Sequence, residues 1–376
     1  MLDSHRKSID YCTYCPKLCR FSCPVAHAES RETVTPTEKM KLLHLARSGA
    51  ASMDEDAADV MYRCAACMTC RAFCKHRIAP PEAIVAARGI ALRRGAAPDA
   101  VVKYVAEFEK HRNPFGEALS AKMEETGVAH RVGRNARIAY FPGCNTLYYF
   151  PGVVRAVEKT MIAAGVDFAV HGGAGAPMCC GIPAYYAGAR ESFAEIAEKN
   201  AAALKKYDTV IVTCPECLVA LKQKYAEIRA RVVPEVVHFT AFALDLLEKG
   251  KVWLKPPLRE KVFYHDPCHL AKHLGVVAQP RALLDRLVSP ESIVEFSWNR
   301  DKGLCCGGGG LLPVAAPETA ARIAKRRLAE LRETDAATLV TACPQCEHTF
   351  ASADPELIVR DVAALLADQL DETHAV

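Results

Sequence analysis

The sequence predicts a multidomain α+β chain: an all-α amino-terminal unit followed by two copies of one α/β unit. Three observations predict it. The 376 residues suffice for two or three domains at roughly 100–200 residues each. Up to about Gly95 the chain carries helix start and stop signals and few strand signals. Beyond Arg137 one pattern occurs twice. Cys144, Cys179-Cys180 and Cys214-x2-Cys217 overlie Cys268, Cys305-Cys306 and Cys343-x2-Cys346 at displacements of 124, 126, 126, 129 and 129 residues, a constancy that indicates duplication of one structural unit.

In chain order, Thr35-Pro36-Thr37-Glu38 is a capping box with proline in the first turn, and the helix it opens closes at Ser48-Gly49. A second helix starts at Asp54, and a third runs from Pro81 through Arg94 to a glycine stop at Gly95. Asp99 to Lys110 reads as a helix in the linker, followed by an irregular connector containing Asn113-Pro114-Phe115-Gly116. In the repeats, the apolar run Arg137-Ile-Ala-Tyr-Phe141 before Cys144 matches Lys261-Val-Phe-Tyr264 before Cys268. Likewise Thr209-Val-Ile-Val-Thr213 before Cys214 matches Thr338-Leu-Val-Thr341 before Cys343. These are predicted as short buried strands, with helices at Arg190–Lys206 and Pro317–Arg332 between them. Each copy is therefore expected to form a mainly parallel sheet with flanking helices and cysteines at strand ends and loops. The expected boundaries are 1–95 for the helical unit, 96–135 for a helical linker, 136–255 for the first repeat and 256–376 for the second.

A composition of 51% hydrophobic and 24% charged residues excludes a disordered chain, and 48 basic against 44 acidic residues leave a charge of +4, too small for a polyanion binder. No nucleic-acid partner is expected. The start, Met1 to Tyr11, carries His5, Arg6 and Lys7 but no apolar segment, so no secretory signal is read and a cytoplasmic location is expected. The longest uncharged stretch, Gly172 to Ala189, holds five Gly, two Pro and two Cys, unlike a helix that spans a bilayer. In a reducing cytosol, 18 cysteines in short spacings point to metal ligation rather than disulfides.

The amino-terminal cysteines are Cys12-x2-Cys15-x3-Cys19-x3-Cys23-Pro24 and Cys64-x2-Cys67-x2-Cys70-x3-Cys74. In the second run three thiolates can clasp one cubane while the fourth reaches another. Cys12, Cys15, Cys19 and Cys74 are thus assigned to one [4Fe-4S] cluster, and Cys64, Cys67, Cys70 and Cys23 to a second. Soft sulfur donors suit iron-sulfur cores. A structural zinc site, which also uses C-x2-C pairs, is the alternative, and a zinc-stabilised scaffold is the rival function class. The pattern departs from the usual one in the x3 gap before Cys19 and in Lys75, where proline usually follows the last ligand. Each repeat adds five cysteines. Vicinal pairs fit poorly on one tetrahedral zinc, whereas an enlarged iron-sulfur core can take them on different irons. Two sets of four and two of five account for all 18 cysteines, leaving none as a separate nucleophile.

With these motifs the chain resembles the cysteine-rich CCG-domain proteins, which include the catalytic subunits of heterodisulfide reductase and the iron-sulfur subunits of glycolate oxidase, anaerobic glycerol-3-phosphate dehydrogenase and lactate-utilisation systems. The match runs through the helical ferredoxin-like start, the Asn113-Pro114-Phe115-Gly116 connector and both copies of Cys…Cys-Cys-Gly…Cys-Pro-x-Cys. The resemblance implies up to two noncubane [4Fe-4S] clusters, one on Cys144, Cys179, Cys180, Cys214 and Cys217 and one on Cys268, Cys305, Cys306, Cys343 and Cys346, with a substrate disulfide reduced between them. The gaps of the first copy, 34 and 33 residues, are shorter than the 36 and 36 of the second. The resemblance implies that two cubanes and these two sites would make an iron-sulfur electron-transfer subunit of a heterodisulfide-reductase-like oxidoreductase. It would relay electrons between a flavoprotein or other redox subunit and a disulfide, quinone or further redox protein. The alternative within the class is a glycolate, lactate or glycerol-3-phosphate dehydrogenase subunit feeding quinone. No flavin or nucleotide site of its own is expected, nor any transmembrane segment, so membrane contact would come through a partner.

Gly307 to Gly310 and Gly172-Gly173-Ala174-Gly175 lack the phosphate-loop and dinucleotide fingerprints, and the former is read as close approach of backbone to a cluster. His265, Asp266 and His269 surround Cys268, and His348 follows Cys346. His265 and His269 are the candidate proton donors, weighed against packing or hydrogen bonding beside a cluster. Ala324-Lys325-Arg326-Arg327 is expected to be a solvated face or an acidic partner's dock. Tyr148, Tyr149, Tyr185 and Tyr186 are expected in core or rim.

Overall fold

The computed structural model describes residues 2–374 apart from Leu18 and Ala174, so Ala174 of the glycine-rich run lies outside the described residues. The amino-terminal unit contains α1 (Arg6–Thr13), α2 (Pro24–Glu29), α3 (Pro36–Ser48), α4 (Glu55–Tyr62), α5 (Thr69–Ala72) and α6 (Pro80–Arg93). The local signals act as expected. The Thr35 side chain accepts from the Glu38 amide at the start of α3, Gly49 ends it at φ 78°, and the Asp54 side chain accepts from the Ala57 amide to open α4. The α6 helix begins at Pro80, one residue before the expected start, because the Pro80-Pro81 pair fits its first turn.

After α7 (Asp99–His111), Asn113 folds the connector. Its side chain accepts from the Phe115 amide at 2.9 Å and donates to the Glu117 carbonyl at 2.8 Å. The stretch beyond is not wholly irregular, since Leu119–Glu125 is a helix that buries Leu119 and Met123. That four-residue spacing was its only sequence signal, and it is too short to stand out.

Each repeat is one four-stranded sheet. The first has β1 (Ile138–Phe141), β2 (Phe168–Val170), β3 (Thr209–Val212) and β4 (Glu235–His238) in the order β2-β1-β3-β4. The second has β5 (Val262–His265), β6 (Ile293–Glu295), β7 (Thr338–Thr341) and β8 (Ile358–Asp361) in the matching order β6-β5-β7-β8. All pairings are parallel, with Ile138 opposite Thr209 in one sheet and Val262 opposite Thr338 in the other. In each sheet the chain turns to opposite sides of its first strand, so a crevice opens at the carboxyl ends of the two central strands. Cys144, Cys214, Cys268 and Cys343 follow those ends.

The three units interlock at their backbones. A Cβ on Gly188 would lie 2.5 Å from the Gly89 nitrogen of α6, and one on Gly310 would lie 2.4 Å from the Ala65 carbonyl carbon. Both positions have positive φ, so glycine is needed there twice over, for conformation and for space. The buried Tyr62 hydroxyl donates to the Ala187 carbonyl at 2.8 Å.

Candidate metal centres and the cleft between them

The structure brings Cys12, Cys15, Cys19 and Cys74 together at the end of α1, all half-buried. Burial first, then the neighbouring Cys19, Cys74 and Cys15, pushes the Cys12 thiol up to about 12. Cys23, Cys64, Cys67 and Cys70 line a small cavity between α2, α3 and α6. Burial raises Cys23 to about 11 against the buried Lys39, which donates to the Val34 carbonyl at 2.7 Å. Positive φ at Ala66 (51°) and Met68 (59°) coils the backbone around this set. An all-sulfur donor set enclosing a cavity fits the cubane expected there.

In the first repeat, the Cys144, Cys179, Cys180, Cys217 and Cys214 side chains form a chain of neighbours, each within hydrogen-bonding reach of the next. Cys144 opens the helix Cys144–Tyr149 and Cys214 caps the helix Pro215–Val219. A Cβ on Gly143, at φ 78°, would lie 2.8 Å from the Cys217 sulfur. The second repeat repeats the order Cys268, Cys305, Cys306, Cys346 and Cys343, with the Cys306 and Cys346 sulfurs 3.3 Å apart. All ten cysteines are buried. Amide groups already point at sulfur: Gly181 to Cys179 at 3.4 Å, Gly307 to Cys305 at 3.3 Å and Gly308 to Cys306 at 3.4 Å. That is the chemistry expected of Gly307–Gly310, whose backbone also presses on Cys64–Ala66. Five convergent thiols with N–H groups aimed at them fit an iron-sulfur core better than a tetrahedral zinc.

The two halves of the chain meet through sulfur. Cys67 of the second amino-terminal set is within hydrogen-bonding reach of Cys305. No spacing rule reveals such a contact.

Between the two repeats and the connector lies a cleft of about 490 Å³, whose lining includes Tyr149, Tyr186, Glu216, Gly310, Gln345 and His348. The Asn145 amide crosses from the first repeat to the Gln345 oxygen of the second at 2.7 Å. The candidate His269 sits beneath the cleft. Its Nδ1 is 3.4 Å from the Cys268 sulfur, and its Nε2 is 2.6 Å from the Tyr186 hydroxyl and 3.6 Å from the Glu216 carboxylate. Burial raises Glu216 to about 7. Burial would lower His269, but the Cys268 thiolate and Glu216 outweigh it and lift the imidazole to about 9. His273 stacks on His269 at 4.3 Å and bonds the Ala66 carbonyl at 2.8 Å.

The other candidates separate. His265 lies buried beside Cys306 and Cys346. Asp266 is taken by a two-pronged ion pair with Arg281, both contacts 2.7 Å. His348 stacks on Tyr149 at 3.7 Å in the cleft wall. Tyr148 stacks on Phe115 at 3.9 Å. The basic run is only partly solvated: Lys325 and Arg326 are exposed, but Arg327 is buried over the Phe296 ring at 3.7 Å and donates to the Trp298 carbonyl at 2.7 Å. Its position on the inner face of an amphipathic helix is the reason. Sequence reasoning missed Glu216, although Cys214-Pro-Glu-Cys217 places it beside two ligands, and it missed Arg88, which has no motif around it.

Comparison with known proteins accords with this geometry. The cysteine-rich CCG domain model matches residues 138–222 and 262–351, and the 4Fe-4S dicluster domain model matches residues 8–78. The chain is 30% identical to one subunit of the fumarate reductase (CoM/CoB) of Methanothermobacter marburgensis, over 88% of this chain and 65% of that protein. It is 27% identical to one subunit of the dihydromethanophenazine:CoB–CoM heterodisulfide reductase of Methanosarcina barkeri, over 84% of this chain and 79% of that protein. It is also 27% identical to EtfAB:quinone oxidoreductase of Syntrophomonas wolfei, over 81% of this chain and 45% of that protein. Among the described residues no helix is long and apolar enough to cross a membrane.

Proposed function

From a chain that belongs to the cysteine-rich CCG-domain proteins and carries a 4Fe-4S dicluster domain, we propose an iron-sulfur electron-transfer subunit of a heterodisulfide-reductase-like oxidoreductase. It links a flavoprotein or other redox subunit to a disulfide, quinone or protein acceptor. The observation that carries the reading is the Cys67–Cys305 contact, which joins the dicluster unit directly to a CCG site.

Bound clusters supply one-electron steps to partners that exchange electrons in pairs. The chain's own residues do the rest. Cys12, Cys15, Cys19 and Cys74 would hold the outermost cluster, since they are the half-exposed set. Around them Tyr11 and Tyr14 are exposed, and the exposed Lys7, Lys75 and Arg77 have no ion-pair partner among the described residues. That surface suits an acidic redox partner. Cys23, Cys64, Cys67 and Cys70 would hold the inner cluster, against the second CCG site. The cleft between the CCG sites would receive the acceptor, where Tyr186, His269 and Glu216 hold a proton at the Nε2 or carboxylate that faces it.

Anaerobic purification tests the reading. A brown chain with about sixteen irons, four per cluster, is expected. Cys67→Ser and Cys305→Ser should each remove about four. A colourless, zinc-loaded chain would overturn the proposal.

A further inference from the structure

The two CCG sites differ in the buried rings that stand at the ends of their strands. Superposing the repeats by their strand and cysteine positions sets Phe141, at the end of β1, against His265, at the end of β5, and sets His171, after β2, against Phe296, after β6. Each copy therefore holds one aromatic and one histidine at the floor of its site, in exchanged places. The exchange is not neutral. His171 is consumed by structure: its Nε2 meets the Asn200 side chain at 2.9 Å and the Pro177 carbonyl at 3.1 Å, and its ring stacks on Phe141 at 4.7 Å. His265 is 1% exposed and held edge-on by Phe350 at 4.8 Å and Phe296 at 6.1 Å. A ring nitrogen and the Cys306 and Cys346 sulfurs all lie within 4.8 Å of one another, while Nδ1 has no hydrogen-bond partner among the described residues. A buried unpaired nitrogen is costly unless something completes it.

We propose that His265 donates an N–H hydrogen bond to the Cys306 thiolate of the loaded second CCG site and so raises the reduction potential of that site above that of the first, which has Phe141 in the same place. The inference rests on the iron-sulfur reading above. Donation to a ligating sulfur withdraws electron density from the core and stabilises its reduced form. Backbone amides point at the vicinal cysteines of both sites, so the added histidine donor is what makes the second site the better acceptor of the two. It is also the one that Cys67 touches, so the chain distinguishes a near site from a far site although both carry the same five cysteines. His265 is a positioning residue in this scheme.

The test uses the anaerobically loaded full chain in a redox titration followed by electron paramagnetic resonance, with signals assigned to each site through Cys180→Ala and Cys306→Ala. His265→Phe is expected to keep its iron, lower the midpoint of the second-site signal and leave the first unmoved. An unchanged midpoint, or an equal shift of both sites, overturns the proposal. In wild type grown with 15N-histidine, pulsed resonance should show a weak nitrogen coupling to the second site that His265→Gln removes. Its absence, or a strong coupling of directly bound nitrogen, also overturns it, and this reading holds even where the phenylalanine variant fails to fold. Iron near nil in the wild type refutes the iron-sulfur reading instead.

Discussion

Replacing Arg88 by methionine should unfasten all three units at once. Its guanidinium is 0% exposed and donates five hydrogen bonds, every one to a main-chain carbonyl. The acceptors are Met61 at 3.0 Å, Tyr62 at 3.3 Å and Cys64 at 2.8 Å in the helical unit, Tyr186 at 2.9 Å in the first repeat and Gly310 at 2.7 Å in the second. No carboxylate is among these partners. Burial alone pulls the arginine below its usual value, and the Cys64 thiolate is the first influence that opposes it. The counter-charge would therefore come from the iron-sulfur site proposed for Cys64. Methionine matches the stem but strands four buried acceptors, the Tyr62 carbonyl keeping the Cys64 amide at 2.9 Å. At about 1 kcal/mol each, the low end for an unsatisfied buried group, the loss is about 4 kcal/mol, close to the whole stability of a modest domain. At ~2–4 °C per kcal/mol the midpoint should fall by roughly 8–16 °C. Arg88→Lys keeps the charge but has three donors for those four acceptors, so a loss of about 1 kcal/mol is expected. Thermal unfolding by circular dichroism, on iron-loaded and iron-free chain, is the assay. The deficit should be larger in the loaded form, where Cys64 is a thiolate. A methionine variant within about 3 °C of wild type, with full iron, would refute the reasoning.

Gly310→Ala should separate the second repeat from the cysteine loop, because its Cβ would stand 2.4 Å from the Ala65 carbonyl carbon at a φ of +63°; iron analysis should show the iron proposed for Cys23, Cys64, Cys67 and Cys70 lost first. Lys75→Glu with Arg77→Glu should slow reduction by an acidic electron donor several-fold and flatten its dependence on salt, as stopped-flow absorbance would report. Tyr186→Phe removes the hydroxyl 2.6 Å from His269; steady-state assays with a disulfide acceptor should show turnover falling by roughly ten- to a hundred-fold, while the rate of cluster reduction by dithionite stays unchanged.

What the sequence revealed and what it withheld divide along a physical line. Caps, stops and strands are local. Thr35, Asp54 and Gly95 each act on the backbone within four residues, and the apolar tetrads before Cys144, Cys214, Cys268 and Cys343 are short buried strands whatever surrounds them, so these elements were legible. The cysteine spacings were legible for the same reason, since each short gap fixes how far apart two sulfurs of one loop can lie. Arg88, Glu216 and the meeting of Cys67 with Cys305 were not, because their roles exist only between units far apart in the chain. Arg327 shows the limit in the opposite direction, where a run of like charges hid one member turned into the core over Phe296.

The duplication carries the deepest consequence. A repeat read from five cysteines implies two equal sites, yet the fold makes them unequal by contact. Only the second abuts the amino-terminal unit through Cys305, and among the described residues it is the one group in which a histidine joins the cysteines within metal-ligand spacing. Two one-electron sites of equal potential, facing one cleft, would share a single electron and leave the acceptor half reduced as often as not. Unequal sites fill in order. With clusters bound as proposed, the second site would hold the first electron, and Cys67, against Cys305, would stand on the route of the next. An electron-transfer subunit that served a paired acceptor, as proposed above, would gain from that ordering, and the residues that would impose it, His265 and Phe141, lie at corresponding ends of β5 and β1.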